Sequence, residues 1–144
     1  MSETHPPQRI GRSIGAVLAG MLAVIVLSIG TDIVLHVAGV FPPWGQSMIG
    51  FEAALLLATA YRTVYGVAGG YIAARLAPNR PMTHALALGV LGLAVSILGA
   101  AVTWNKGPAF GPHWYPLALV VLAMPQCWAG GKLWEMQLCA RVNG

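Results

Sequence analysis

The sequence predicts an all-α integral membrane protein, built as an up-down bundle of four transmembrane helices. Of its 144 residues 57% are hydrophobic and only 8% are charged, whereas a soluble domain carries about a quarter of its residues as charges. Four apolar runs are each long enough to cross roughly 30 Å of hydrocarbon. The segments between these runs are rich in Pro and Gly, which end helices.

The predicted spans cover about residues 14–40, 51–76, 82–104 and 114–138. They are separated by "FPPWGQSMIG", "APNRP" and "NKGPAFGPHWY". Four such helices use up the chain, so residues 1–144 are predicted to form a single domain. The first run is longer than the core of a secretory signal peptide, which is about 7 to 15 residues, and no small-x-small cleavage site follows it promptly. We therefore expect it to be retained as a span.

Positive charge is distributed unevenly between the two sides of the predicted bundle. One side carries six basic residues, which are Arg9, Arg12, Arg75, Arg80, Lys132 and Arg141, and the other side carries Lys106. Because cytoplasmic loops hold the excess of Lys and Arg, a multi-pass protein of the cell membrane with both termini in the cytoplasm is predicted. Four aromatic residues then fall at the outer interface, where amphipathic rings are enriched: Trp44, Trp104, Trp114 and Tyr115.

Arg62 lies well inside the second apolar run, where insertion scales put the cost of a charge at about 2.5–3.5 kcal/mol. If the first two spans form a hairpin that turns near Gly45 and Gln46, Asp32 lies about fourteen residues before the turn and Arg62 about sixteen after it. At roughly 1.5 Å of rise per residue, their depths agree within a few ångströms. We therefore expect Arg62 to pair with Asp32, because a carboxylate matches the planar guanidinium.

Further polar side chains are predicted at similar depths. His36 lies one turn after Asp32 on the same helical face, and Tyr65 lies next to Arg62. Glu52 and His113 begin the second and fourth spans. The candidate polar pathway or ion pair therefore consists of Asp32, His36, Glu52, Arg62 and Tyr65, with His113 as a further member. Whether these residues converge depends on helix rotation, and an ion pair that merely locks two helices is the open alternative.

Small residues recur along two of the spans and favour close helix packing. The third span carries a stripe of Gly89, Gly92, Ser96, Gly99 and Thr103, and the second carries Gly66, Gly70 and Ala74. Such stripes let backbones approach within a bundle or between subunits. In the fourth span Pro125 predicts a kink, and the adjacent Gln126 is predicted to pack nearby or to belong to the polar pathway.

Several functional classes lack sequence support. There is no GxGxxG, P-loop, HExxH or GxSxG motif, and no clustered basic patch indicates nucleic-acid binding. Cys127 and Cys139 have neither a redox nor a zinc spacing. A haem held by His36 and His113, or a metal held by Asp32, His36 and Glu52, would need a convergence that spacing does not indicate. No cofactor is therefore expected.

Two functions remain after these exclusions. The first is a transporter- or channel-like protein that uses the Asp32/Arg62 region as its polar gate. The second is a non-catalytic membrane subunit or assembly scaffold, and an enzyme ranks below both. The expected partners are the lipid bilayer and either further copies of the chain or another membrane subunit. The chain looks like many small four-span bacterial membrane proteins, but no motif assigns it to a family.

Overall fold

The computed structural model describes residues 7–144. Within them the chain forms four α-helices, α1 (Pro7–Val37), α2 (Glu52–Leu76), α3 (Pro81–Thr103) and α4 (Trp114–Asn143), and a 3-10 turn at Pro108–Phe110. The all-helical prediction is confirmed, and α2 and α3 lie within one residue of their predicted bounds. The helix that contains the first predicted span, about 14–40, runs from Pro7 to Val37 and gives way to a turn in which Gly39 has a φ of +74°. The α4 helix extends to Asn143, beyond the predicted end of the fourth span at about 138.

The helices form an up-down bundle. Asp32 of α1 contacts Arg62 of α2, and Gly20 lies against Gly69, so these two helices are antiparallel. The α4 helix runs parallel to α2, since contacts join Glu52 to Trp114 near their starts and Tyr71 to Gln137 near their ends. We call the end that carries the connections 38–51 and 104–113 the loop end. The opposite end, with the 77–80 turn and residue 144, is called the terminus end.

The α2 helix occupies the centre of the bundle and packs extensively on α4 and α1 and to a smaller extent on α3. Most of its buried residues are small, which lets neighbouring backbones approach it closely and gain dispersion contacts. They are Ala54, Leu55, Ala58, Gly66, Gly69, Gly70, Ala73 and Ala74.

The closest helix contacts lie in the half of the bundle nearer the terminus end. A Cβ atom placed on Gly70 would lie 2.5 Å from the carbonyl oxygen of Cys127, and one on Gly130 would lie 2.5 Å from the backbone nitrogen of Tyr71. On the other side of α2, a Cβ on Gly20 would lie 2.6 Å from the carbonyl oxygen of Gly69. These distances leave no room for a side chain, so α1, α2 and α4 touch backbone to backbone.

Three of the helices described, α1, α3 and α4, are long and apolar enough to cross a membrane. Many large apolar side chains point outwards from the bundle, among them Val64, Val95 and Val121. A monomer in water rarely exposes contiguous apolar surface on this scale. The structure is therefore that of a membrane protein. The α2 helix falls outside this group, and it carries Glu52, Arg62 and Arg75.

Only part of the small-residue stripe of α3 packs against another helix. Gly89 contacts the side chains of Met124 and Cys127, whereas a Cβ on Gly92 or Gly99 would meet none of the described residues within 4 Å. The α2 stripe, in contrast, is filled by α4. The side chain of Gln126 lies directly over Gly66, and α4 continues as a helix through Pro125.

Replacing Gly130 by Val is expected to destabilise the protein by at least about 1–3 kcal/mol, since the new side chain would overlap the α2 backbone. The control is Gly92→Val, which makes the same chemical change in a helix where the space is open and should be close to neutral. Thermal unfolding followed by circular dichroism in detergent measures both. Equal shifts for the two variants would contradict the packing described here.

Candidate functional site

A partly open cavity of about 390 Å³ lies in the half of the bundle nearer the loop end. Its walls come from α1, α2, the start of α4 and both connections at this end, and none of its lining residues belongs to α3. The cavity contains charged, phenolic and aromatic groups in a bundle that is otherwise mainly apolar. These residues are Asp32, His36, Phe41, Trp44, Tyr61, Arg62, Phe110 and Tyr115.

An ion pair lies in this cavity. Arg62 Nη2 is 2.5 Å from Asp32 Oδ2, and the Tyr61 hydroxyl donates a hydrogen bond to Asp32 Oδ1. Both carboxylate oxygens therefore have a protein donor. The side chains are nevertheless 20% exposed for Asp32 and 32% for Arg62, so the pair borders the cavity and is not sealed in the core.

The antiparallel packing of α1 and α2 explains this geometry. Tyr61 and Arg62 are consecutive on α2 and reach Asp32 from two sides. At the same interface, Thr31 and Tyr65 share a hydrogen bond of 2.7 Å between their hydroxyl groups. Hydrogen bonds between helices in a membrane average about 0.6 kcal/mol each. Together these contacts determine the register of α1 against α2 at the depth of the cavity.

The Arg62 guanidinium has donor capacity beyond Asp32. Its Nε atom is buried and has no hydrogen-bond partner among the residues that the structure describes. A guanidinium carries five N–H donors, and an unsatisfied buried donor costs about 1–3 kcal/mol. Tyr115 of α4 lies close to the same guanidinium. Each Asp32 oxygen accepts one hydrogen bond and keeps a lone pair free, so the polar part of the cavity offers acceptors as well as the remaining Arg62 donors.

His36 attaches the first connection to the rim of the cavity. Its ring stacks on Trp44, with 3.7 Å between centroids and an interplanar angle of 6°, and meets Phe41 edge-on at 5.1 Å. Its Nδ1 atom is 2.7 Å from the backbone carbonyl oxygen of Asp32. His36 therefore lies one turn from the ion pair, as the sequence predicts, but it contacts the backbone of Asp32 and aromatic rings.

Glu52 and His113 lie outside the cavity, because a tryptophan engages each of them. Glu52 Oε2 accepts a hydrogen bond of 2.9 Å from Trp114 Nε1. The His113 ring stacks on Trp104 at 4.1 Å, and its Nε2 atom lies 3.1 Å from the Trp104 carbonyl oxygen. The predicted polar constellation is thus divided. Asp32, His36 and Arg62 line the cavity, and Tyr65 joins the adjacent helix interface.

The geometry around these residues does not assemble a metal centre. Within residues 7–144, no group of three or more His, Cys, Asp or Glu side chains is placed to hold a metal ion. His36 and His113 stack on different tryptophans, in different parts of the loop end.

Sequence reasoning missed the aromatic part of the cavity. It placed Trp44 and Tyr115 at the membrane interface as anchors, and it assigned no role to Phe41 or Phe110. The structure brings all four to one cavity with the ion pair. The available signal was that both connections at one end of the bundle are rich in aromatic residues. The chain matches no protein-family model and shows no significant similarity to the curated proteins or solved structures with which it was compared.

Asp32 and Arg62 are expected to be energetically coupled. Replacing Asp32 by Leu strands a guanidinium that cannot lose its charge, whereas Arg62→Leu leaves a carboxylate that can take up a proton, so the first change should lower stability more. The double replacement should recover much of the loss. A double-mutant cycle on thermal stability in detergent should give an interaction term of about 0.5–3 kcal/mol.

A second cycle serves as the control. Glu52 contacts Trp114 and not Arg62, so the effects of Glu52→Leu and Arg62→Leu should add. An interaction term near zero in the Asp32/Arg62 cycle, or an equal term in both cycles, would show that the ion pair does not couple these helices.

Proposed function

We propose that the protein is a transporter-like membrane protein that admits a small solute from outside the cell into the loop-end cavity. The observation that carries this proposal is a cavity of about 390 Å³ with an accessible Asp32–Arg62 pair in its wall. Charged groups within a membrane are costly and commonly mark substrate pathways.

In the proposed topology α2 also crosses the membrane, which brings the number of spans to four. Its 25 residues reach roughly 37 Å at about 1.5 Å per residue, enough to cross the hydrocarbon. It packs between apolar helices, which shield Arg62 from lipid. The terminus end carries six of the Lys and Arg residues that flank the helices and the loop end carries Lys106. Under the positive-inside rule, both termini face the cytoplasm and the cavity faces outwards.

The chemistry of the cavity favours a solute with an anionic or hydrogen-bond-accepting group and an apolar or ring-shaped body. Arg62 supplies donors, and each Asp32 oxygen already accepts one hydrogen bond, from Arg62 or from Tyr61. Phe41, Phe110 and the stacked His36–Trp44 pair offer flat apolar contacts. The volume lies near the lower limit for ligand pockets, which is about 300 Å³, so a small metabolite fits better than a lipid.

The cavity does not continue through the bundle as an open pore. Beyond Arg62, the Gly66, Gly70 and Gly130 contacts bring α2 and α4 together without intervening space. This arrangement corresponds to an outward-facing state, in which a solute stops beside the ion pair. Passage to the cytoplasm would then require α2 and α4 to separate at these glycines.

Thiol accessibility tests whether the cavity is open to water. In a background with Cys127→Ala and Cys139→Ala, Tyr115→Cys places a thiol in the cavity, and Val64→Cys places one on the outward-pointing surface of α2, which is 63% exposed. A charged, membrane-impermeant methanethiosulfonate added to intact cells should modify the cavity cysteine and not the lipid-facing one. The anionic reagent should react faster than the cationic one, and Arg62→Leu should remove this preference.

Two exposed loop positions calibrate the experiment. Asn105→Cys at the loop end should react in intact cells, whereas Asn79→Cys at the terminus end should react only after permeabilisation. The reverse pattern would overturn the proposed orientation. An unreactive Tyr115→Cys protein that folds normally, in cells where Asn105→Cys reacts, would overturn the water-accessible cavity.

An assembly scaffold is the second candidate, and the unfilled part of the α3 stripe favours it. Within residues 7–144, a Cβ on Gly92 or Gly99 would meet nothing within 4 Å, although such residues commonly lie where helices approach closely. If this face binds a second copy, mass measurement in nanodiscs should show oligomers, and Gly92→Leu with Gly99→Leu should dissociate them without lowering thermal stability. A protein that is monomeric in nanodiscs would exclude self-assembly through α3.

A further inference from the structure

A second cluster of charged and aromatic residues lies at the terminus end, far along α2 and α4 from the cavity. The indole of Trp134 lies beside two guanidinium groups, with the Cζ atoms of Arg75 and Arg141 at 5.8 Å and 5.7 Å from its ring centroid. The first arginine is near the end of α2 and the second near the end of α4. Both are exposed, so their donors are available to a ligand.

The position of the indole is determined by the contact between α2 and α4. Tyr71 meets Trp134 edge-on, with 5.7 Å between ring centroids and an interplanar angle of 88°. The Tyr71 hydroxyl in turn donates a 2.6 Å hydrogen bond to Gln137 Oε1. Cation–π attraction then holds both guanidinium groups at this ring, although like charges would separate if they were free.

The two arginines lack acidic partners among residues 7–144. Residues 7–144 contain two ion pairs. Asp32–Arg62 lies in the other half of the bundle, and Lys132–Glu135 has 3.8 Å between Nζ and Oε2. The nearby carboxylate of Glu135 is therefore paired with Lys132. Two uncompensated guanidinium groups therefore face the same small region of surface, which favours a ligand with an anionic group.

Two exposed leucines are next to members of this cluster in the chain. Leu76 follows Arg75 in the chain and is 47% exposed, and Leu133 precedes Trp134 and is 44% exposed. A surface with arginine donors, an indole and outward-pointing leucines matches a lipid at the membrane boundary, where tryptophan is enriched and basic side chains attract anionic headgroups.

We propose that Arg75, Arg141 and Trp134 form a binding site for the phosphate of an anionic phospholipid. The guanidinium groups donate to the phosphate oxygens, in the geometry that makes arginine effective in phosphate recognition. The leucines contact the start of the acyl chains. Because this site bridges the ends of α2 and α4, a bound lipid stabilises the same helix pair that closes the bundle below the cavity.

Native mass spectrometry of the full-length protein in detergent tests this site, with phosphatidylglycerol as the anionic probe and phosphatidylcholine as the zwitterionic one. The Arg75→Gln/Arg141→Gln variant is expected to lose phosphatidylglycerol affinity by on the order of tenfold. The Arg9→Gln/Arg12→Gln variant removes the same charge at the same end of the bundle. It should change phosphatidylglycerol affinity by less than about twofold. Equal losses of phosphatidylglycerol affinity in both variants would show that binding is general electrostatic attraction, and would overturn the proposal.

Two further arms identify the ligand and the role of the indole. Trp134→Leu keeps every charge but removes the ring that holds the arginines, so phosphatidylglycerol affinity should fall while circular dichroism shows an intact helical fold. Inorganic phosphate should neither displace phosphatidylglycerol nor raise the melting temperature. Displacement by inorganic phosphate would show that the site takes a free anion, and an unchanged affinity in Trp134→Leu would overturn the role of the indole.

Discussion

The charge of Arg62 has to be kept away from hydrocarbon, and this constraint governs the position of α2. Asp32 neutralises the guanidinium from α1, while Tyr115 approaches it from α4. A helix that carries such a residue is best placed among the other helices, and α2 packs on all three of its neighbours. The least apolar long helix thereby packs against the three helices that are apolar enough to face lipid. The polar centre and the apolar exterior are two consequences of one charged side chain.

The bundle has a tight half and an open half because residue size changes along α2. Towards the terminus end, glycines at positions 66, 69 and 70 let α1 and α4 touch the α2 backbone. Towards the loop end, Tyr61, Arg62 and the facing Tyr115 hold the helices apart and leave the cavity between them. The open half loses dispersion contacts that the tight half retains. The cost of this openness supports the proposal that the cavity serves function, since packing alone would have closed it.

Aromatic rings organise the polar groups at both ends of the molecule. At the loop end, Trp44 and Trp104 each stack on a histidine and so position the connections. At the terminus end, Trp134 gathers two arginines from different helices. The two ends differ in the groups that a ligand could reach. The loop end encloses a small volume beside an ion pair, whereas the terminus end presents two exposed arginines that have no acidic partner among residues 7–144. The proposed solute site and lipid site follow from this difference.

Hydropathy and helix-ending residues were sufficient to predict the all-α bundle, most helix bounds and the common depth of Asp32 and Arg62, because all three depend on distance along the chain at a constant helical rise. These two signals do not predict how each helix is rotated about its axis or which path each loop follows. For this reason, the sequence did not indicate that Glu52 would bond to Trp114, that His113 would stack on Trp104, or that Phe41 and Phe110 would line a cavity. It also left open which small residues would be used, and the structure fills the space over Gly66 and leaves Gly92 open. Periodic local patterns determined the elements, and packing between distant segments decided which side chains meet.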